Sequence, residues 1–281
     1  MKRLSGLLFA GVLAAGAAFG QAPVISDGGI VEAAGFAAGR PVSAGNIVAI
    51  FGSNLATQLT VTDTVTLSTT LGNVSVTFNG VNAALQFVSP GQINAQIPWD
   101  VLPPGQNGTV NAVVTSAGAS SAPAAVTINQ FGPGVYQANN HAFAINAQDP
   151  NSVRFASFAA PVNTFGTGCD QTPLPASCVY KAFPAQTGDV LLVYAGGLGP
   201  LDNQVQTGQL PAAGVIARTT TIPTVLVNNV PADVLYSGMS SFVGVYQINI
   251  RVPPGVTGGA LPFQVQVGGI TTTPNTNIAV Q

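Results

Sequence analysis

The chain has 281 residues, of which 47% are hydrophobic and only 6% charged, and its formal net charge is −2. That balance excludes a disordered acidic or basic tail, and the scattered Arg40, Arg154, Arg218 and Arg251 exclude the clustered cations of a nucleic-acid surface. With 33 Gly and 21 Pro, a single Glu at Glu32, and Lys only at Lys2 and Lys181, long helices are disfavoured and many short strands are favoured.

Residues 1–20, MKRLSGLLFAGVLAAGAAFG, place Lys2 and Arg3 before an apolar run that ends in small residues. This pattern predicts a secretory signal peptide, with Ala18-Phe19-Gly20 as the small-x-small site and cleavage before Gln21. The run is short and interrupted by glycine for an anchor helix, and no later stretch is long enough to span a membrane. No cysteine follows it to carry a lipid. The expected location is therefore secreted, extracellular or periplasmic, or associated with the cell surface.

The mature chain repeats itself. GNIVAIFGSNL (residues 45–55) matches GDVLLVYAGGL (188–198) at an offset of 143. VTFNGVNAALQFVSPGQINAQIP (76–98) matches VLVNNVPADVLYSGMSSFVGVYQINIRVP (225–253), with an offset of 149 at Asn79 and Asn228 and of 155 at Gln92 and Gln247. EAAGFAAGRP (32–41) echoes RFASFAAPV (154–162) at an offset of 122. The order is kept while the offset grows, so the halves read as one unit built twice with different insertions.

Each unit reads as an Ig-like β-sandwich. Val74, Val76 and Phe78 alternate with polar residues, then Asn79-Gly80 signals a tight hairpin turn. Ile93, Ala95 and Ile97 alternate with Gln92, Asn94 and Gln96, and Ile248, Ile250 and Val252 with Gln247, Asn249 and Arg251. This two-residue period with frequent turns predicts an all-β chain: residues 21–130 form sandwich one and residues 131–281 sandwich two, joined at Phe131-Gly132-Pro133-Gly134.

Between the matched blocks 154–162 and 188–198 the second unit carries an insertion around 161–187, which contains both cysteines. In an oxidising compartment Cys169 and Cys178 are expected to pair and staple that loop. The competing reading is a metal site completed by His141, the only histidine; three ligands from one loop and a distant one would be unusual, so no metal is expected.

The polar stripe Gln92, Asn94 and Gln96, with its counterpart Gln247 and Asn249, has three readings: a solvated strand surface, a hydrogen-bonding platform for a polar ligand, or an inter-domain contact. Trp99 beside Asp100 is either filler at the core or joint or a ligand or partner contact, and Tyr136, Tyr180, Tyr194, Tyr236 and Tyr246 enrich the second unit in aromatics.

Catalytic residues are few. No GxSxG elbow accompanies His141, and most of the eight Asp adjoin turn-forming residues. GGLGP (196–200) lacks the Lys-Ser/Thr of a phosphate loop and reads as a turn after a strand. No run of calcium-loop type occurs. No catalytic residue and no cofactor are expected.

GGIVEAAGFAAGRPVSAGNIVAIFGSNLA, VSVTFNGVNAALQFVSPGQINAQIPWDVLPPG, GDVLLVYAGGLGP and FVGVYQINIRVPPG together resemble an uncharacterised C-terminal domain of acidobacterial exported proteins. Its halves are similar to IPT/TIG-type Ig-like domains. The resemblance spans about 28–280 and implies two tandem IPT/TIG-like sandwiches without catalytic residues to carry over. It also implies a role as spacer, adhesin or accessory module. The usual large N-terminal partner is missing here, which favours a stand-alone surface or matrix protein.

The sequence therefore reads as a secreted non-catalytic structural or binding protein, acting in cell-surface adhesion or extracellular-matrix binding. A carbohydrate-binding module is the alternative, and a secreted hydrolase using His141 or an Asp pair is another. The expected partner is an extracellular polysaccharide or a surface protein, with no nucleic acid and no membrane span after signal cleavage. Trp99, Asp100, Gln92, Asn94, Gln96, Gln247 and Asn249 are the expected contacts.

Overall fold

A computed structural model describes residues 21–273 and 275–281; the expected signal peptide, residues 1–20, lies outside them. Among the described residues there is no helix, and none long and apolar enough to cross a membrane.

The first ten strands are β1 (Val24–Glu32), β2 (Ile47–Ser53), β3 (Thr60–Val61), β4 (Val74–Phe78), β5 (Val81–Asn82), β6 (Ala84–Val88), β7 (Gln92–Gln96), β8 (Gly108–Ser116), β9 (Ala119–Ser120) and β10 (Ala124–Ile128). They form one sheet in the order β1-β2-β7-β6-β3 and another in the order β10-β8-β4-β5, with β9 on β8. The alternation that marks these segments in sequence decides which side chains meet between the sheets. Val48, Ile50, Ile93 and Ala95 point inward and join Val76, Phe78, Val110 and Val114 in one core. Each large aliphatic side chain so buried contributes about 1.5–3 kcal/mol relative to exposure.

The remaining strands are β11 (Gly134–Val135), β12 (Gln137–Ala138), β13 (His141–Ala142), β14 (Ala144–Asn146), β15 (Phe158–Ala159), β16 (Ala182–Phe183), β17 (Val190–Gly196), β18 (Thr224–Val227), β19 (Val230–Met239), β20 (Tyr246–Arg251), β21 (Gly258–Val267), β22 (Ile270–Thr271) and β23 (Asn277–Val280). They form one continuous path that turns through β19. Residues 230–232 of β19 pair with β18, and residues 233–239 pair with β20, with an irregularity between Val234 and Tyr236. The first unit makes the same change of sheet with its strand interrupted at Ala83, so that β5 pairs with β4 and β6 with β7. The second core centres on Leu191, Val193, Tyr246, Ile248, Ile250, Phe263 and Val265.

Pairing register shows how closely the units repeat. Val48 lies opposite Ala95 as Leu191 lies opposite Ile250, and Ile50 opposite Ile93 as Val193 opposite Ile248. These pairs carry the sequence offsets of 143 and 155. The hairpin turns agree as well. Asn79 and Gly80 have φ of 47° and 80°, and Asn228 and Asn229 have φ of 49° and 63°, the paired left-handed residues of a two-residue I′ turn.

One echo is out of register. Glu32 lies opposite Val48, and the residue opposite Leu191 is Asn146, so Asn146 and not Arg154 takes the place of Glu32. The left-handed residue that comes next is Phe36 in one unit and Ala156 in the other; its N–H donates to the carbonyl of Glu32 or of Asn146. The second unit places a polar turn around Asp149–Ser152 before that residue, which displaces the match.

Cys169 and Cys178 form a disulfide. It closes over the small core of Phe158, Phe165 and Ala182, where Phe143, Phe158, Phe165 and Tyr180 meet edge-on or tilted with centroids 4.9–5.8 Å apart. The staple fixes an aromatic lid over the β14–β15–β16 edge.

Candidate functional site

The two units meet along a polar and apolar seam. Ala33, Ile47, Leu67 and Ala84 of the first pack with Val243 and Leu210 of the second. Gln96, fully buried, donates from Nε2 to the Gly45 carbonyl at 3.0 Å and accepts at Oε1 from the Gly208 N–H at 2.6 Å. The Leu67 N–H donates to the Gly208 carbonyl at 2.8 Å, and the Trp99 N–H to Thr207 Oγ1 at 3.2 Å. The Arg40 guanidinium reaches the Thr271 carbonyl. The joint itself is backed by GGLGP: the Gly132 N–H donates to the Gly197 carbonyl, and a Cβ on Gly197 would lie 2.0 Å from the Gly132 oxygen. Close packing explains that glycine run: the Gly132 backbone crowds Gly197, the Asn46 side chain Gly196 and the Phe131 ring Gly199. Tyr246 adds a pin from the second core, its buried hydroxyl donating to the Gly199 carbonyl at 2.6 Å; burial pushes this phenol well above its ordinary range.

Glu32 is buried at the same seam. Its carboxylate accepts from the Ala34 and Gly35 N–H groups and sits where a side chain on Gly134 would have to go. Burial pushes its carboxyl up from the usual range, while those two N–H groups and Arg40 pull the other way. The Tyr136 phenol is raised by burial first and by Glu32 second.

Beside the seam a cleft of about 710 Å³ opens between the units. Trp99 lines it, resting on Gly45, where a Cβ would lie 2.2 Å from the indole. The exposed Asp100 lines it too. Asn82, Gln106, Asn129 and Gln130 contribute from the first unit, and Gln204, Gln206 and Thr207 from the second. Each carboxamide offers donors and an acceptor, and none of the hydrogen bonds among the described residues uses the side-chain amides of these six Asn and Gln. Asp100 is the only charged residue in the lining, so the cleft holds no cation to pair with a carboxylate or sulfate.

The expected contact residues do not form one site. Trp99 and Asp100 are at the cleft. Gln96 is spent inside the seam and takes the inter-domain reading of the stripe: alternation turned it away from the first core, and the second unit covers it. Gln92 and Asn94 are half-buried on the outer face of the first sandwich, and Gln247 and Asn249 on that of the second. Within each pair the Gln Nε2 donates to the Asn Oδ1, at 2.8 Å in Gln92–Asn94 and 2.7 Å in Gln247–Asn249.

The carboxylates and the histidine are dispersed. His141 Nδ1 and Nε2 lie 3.0 and 3.2 Å from the carbonyl oxygens of Asn139 and Gly259. Asp189 is held by Arg154 at 3.2 Å and by Asn146 and the Gln186 N–H. No group of three or more His, Cys, Asp or Glu that could hold a metal occurs among the described residues. Sequence reasoning missed the cleft amides, because Gln106, Gln130, Gln204 and Gln206 lie in loops that only the docking of the two units brings together.

Residues 38–128 match the family model of the IPT/TIG domain, which places that domain on the first sandwich from ahead of β2 to the end of β10. No curated protein matches the chain. Solved structures that align with it include SGBP-B from a complex xyloglucan utilization locus in Bacteroides uniformis (13% identity, TM-score 0.26, 92% of this chain and 50% of that one) and domains 5–6 of the S-layer protein SbsC (10% identity, TM-score 0.24, 92% of this chain and 98% of that one). The chain thus spans about half the length of the former. At these TM-scores neither likeness carries an argument about function.

Proposed function

We propose that this is a non-catalytic extracellular binding protein that holds a neutral polysaccharide in the cleft between its sandwiches. The observation that carries this reading is the lining: an aromatic ring, Trp99, among six amides with no hydrogen-bonded partner among the described residues and one carboxylate. A sugar ring offers an apolar C–H face to an indole and a rim of hydroxyls to amide donors and acceptors. The absence of cations from the lining selects against acidic polymers. The disulfide supports an oxidising compartment, in line with export. Surface adhesion or matrix attachment would result from holding such a polymer.

The test is co-sedimentation of residues 21–281 with insoluble neutral and acidic polysaccharides, alongside Gln106→Ala/Gln206→Ala, which removes one exposed amide from each wall. Binding to a neutral polysaccharide that is weakened in the double variant, at an unchanged melting temperature, is the expected result. Undiminished binding by the variant, or preference for an acidic polymer, would sink the cleft as the site.

A further inference from the structure

The repeated Gln-x-Asn motif builds the same small arrangement twice, on the outer face of each sandwich. In the first unit Phe51 lies directly across from Gln92 on the neighbouring strand; in the second, Tyr194 lies across from Gln247. An exposed phenylalanine accompanies each ring. Phe36, 52% exposed, is 6.2 Å from Phe51, and Phe242, 55% exposed, is 5.7 Å from Tyr194. Phe36 occupies a left-handed position that the second unit fills with Ala156, so the turn does not require its ring.

The Gln-to-Asn side-chain bond fixes what remains free. The bond uses one N–H of Gln92 Nε2 and one lone pair of Asn94 Oδ1, and leaves Gln92 Oε1 as an acceptor and Asn94 Nδ2 as a donor; Gln247 and Asn249 leave the same two atoms. Each station therefore presents an oriented donor group and an oriented acceptor group beside an aromatic surface, which complements a pair of neighbouring sugar hydroxyls and a C–H face. None of these residues carries a charge at neutral pH, so the complementary partner is uncharged.

The stations are linked across the seam. The hairpin that carries Phe242 also carries Gly244, which rests on Ile47 and Gln96 at the seam end of the first stripe. We propose that the two Gln–Asn–aromatic stations are paired binding sites for one extended neutral polysaccharide strand, separate from the cleft. The ligand class rests on the proposed polysaccharide-binding function; the sites do not rest on the cleft.

Asn94→Asp and Asn249→Asp test this with little risk to folding. An aspartate still accepts from the Gln amide but replaces the free donor with a charged acceptor. Affinity electrophoresis through hydroxyethyl cellulose and galactomannan, with carboxymethyl cellulose as the acidic control, reads binding directly. Each single variant is expected to weaken retardation in a neutral gel by about tenfold in apparent affinity. The double variant is expected to lose roughly 10²-fold, the product of the two single losses. Gln106→Ala/Gln206→Ala should leave this station-dependent loss intact. A double station variant retarded like the parent, or a parent retarded in neither neutral gel, overturns the proposal. If the cleft variant alone abolishes retardation, the stations fall and the cleft stands; if the station variants alone abolish it, the cleft falls and the stations stand.

Discussion

Gln96 and Arg251 occupy the same place in the two units and bond the same backbone carbonyl, Gly45 in the first and Gly188 in the second. The second unit covers only the first of these contacts, so the same substitution at both positions isolates the effect of the seam. Gln96→Leu keeps the side-chain volume but removes two hydrogen bonds, each worth about 1 kcal/mol net, and leaves the buried Gly208 N–H without an acceptor. The expected cost is about 2–4 kcal/mol. Arg251→Leu frees a carbonyl beside an exposed side chain, where water replaces the lost donor, and should cost under about 1 kcal/mol. With about 2–4 °C of melting temperature per kcal/mol in a chain of this size, calorimetry separates the two. Equal shifts for the two variants would show that the units do not dock as described.

Buried chemistry gives two further outcomes. Glu32 has its folded pKa raised above 4.5, so folding retains its proton; its contribution to stability is present below that value and is lost as pH rises through the folded pKa. Glu32→Gln should therefore flatten the decline in melting temperature on the alkaline side of pH 4.5, and an unchanged pH profile would refute this. Replacing Cys169 and Cys178 with Ser opens a bridge with a sequence separation of 9 and should cost about 2–3 kcal/mol, with hydrogen exchange rising around 158–183 while the Gln96 seam stays protected. Exchange rising first at the seam would contradict a local staple.

Register was legible in the sequence wherever alternation and turn chemistry acted locally. The paired offsets around Ile50 and Ile93 reappear as strand partners, and Asn79-Gly80 takes the left-handed pair that its residue types favour. The echo at Glu32 misled because similar small residues can align without sharing a strand partner. What covers an outward face was not legible. Gln92, Asn94 and Gln96 read alike, yet only Gln96 meets the other unit, a difference fixed by docking between distant segments. The cleft escaped notice for the same reason: its walls come from loops far apart in the chain.

Aromatic placement has an optical consequence. The one tryptophan, Trp99, belongs to the first unit and sits against the second core, while every tyrosine belongs to the second unit. Energy absorbed by those phenols and re-emitted by the indole therefore crosses the seam. Sensitised Trp99 emission is a built-in, label-free gauge of how closely the two sandwiches are held together, in free solution or on a polymer surface.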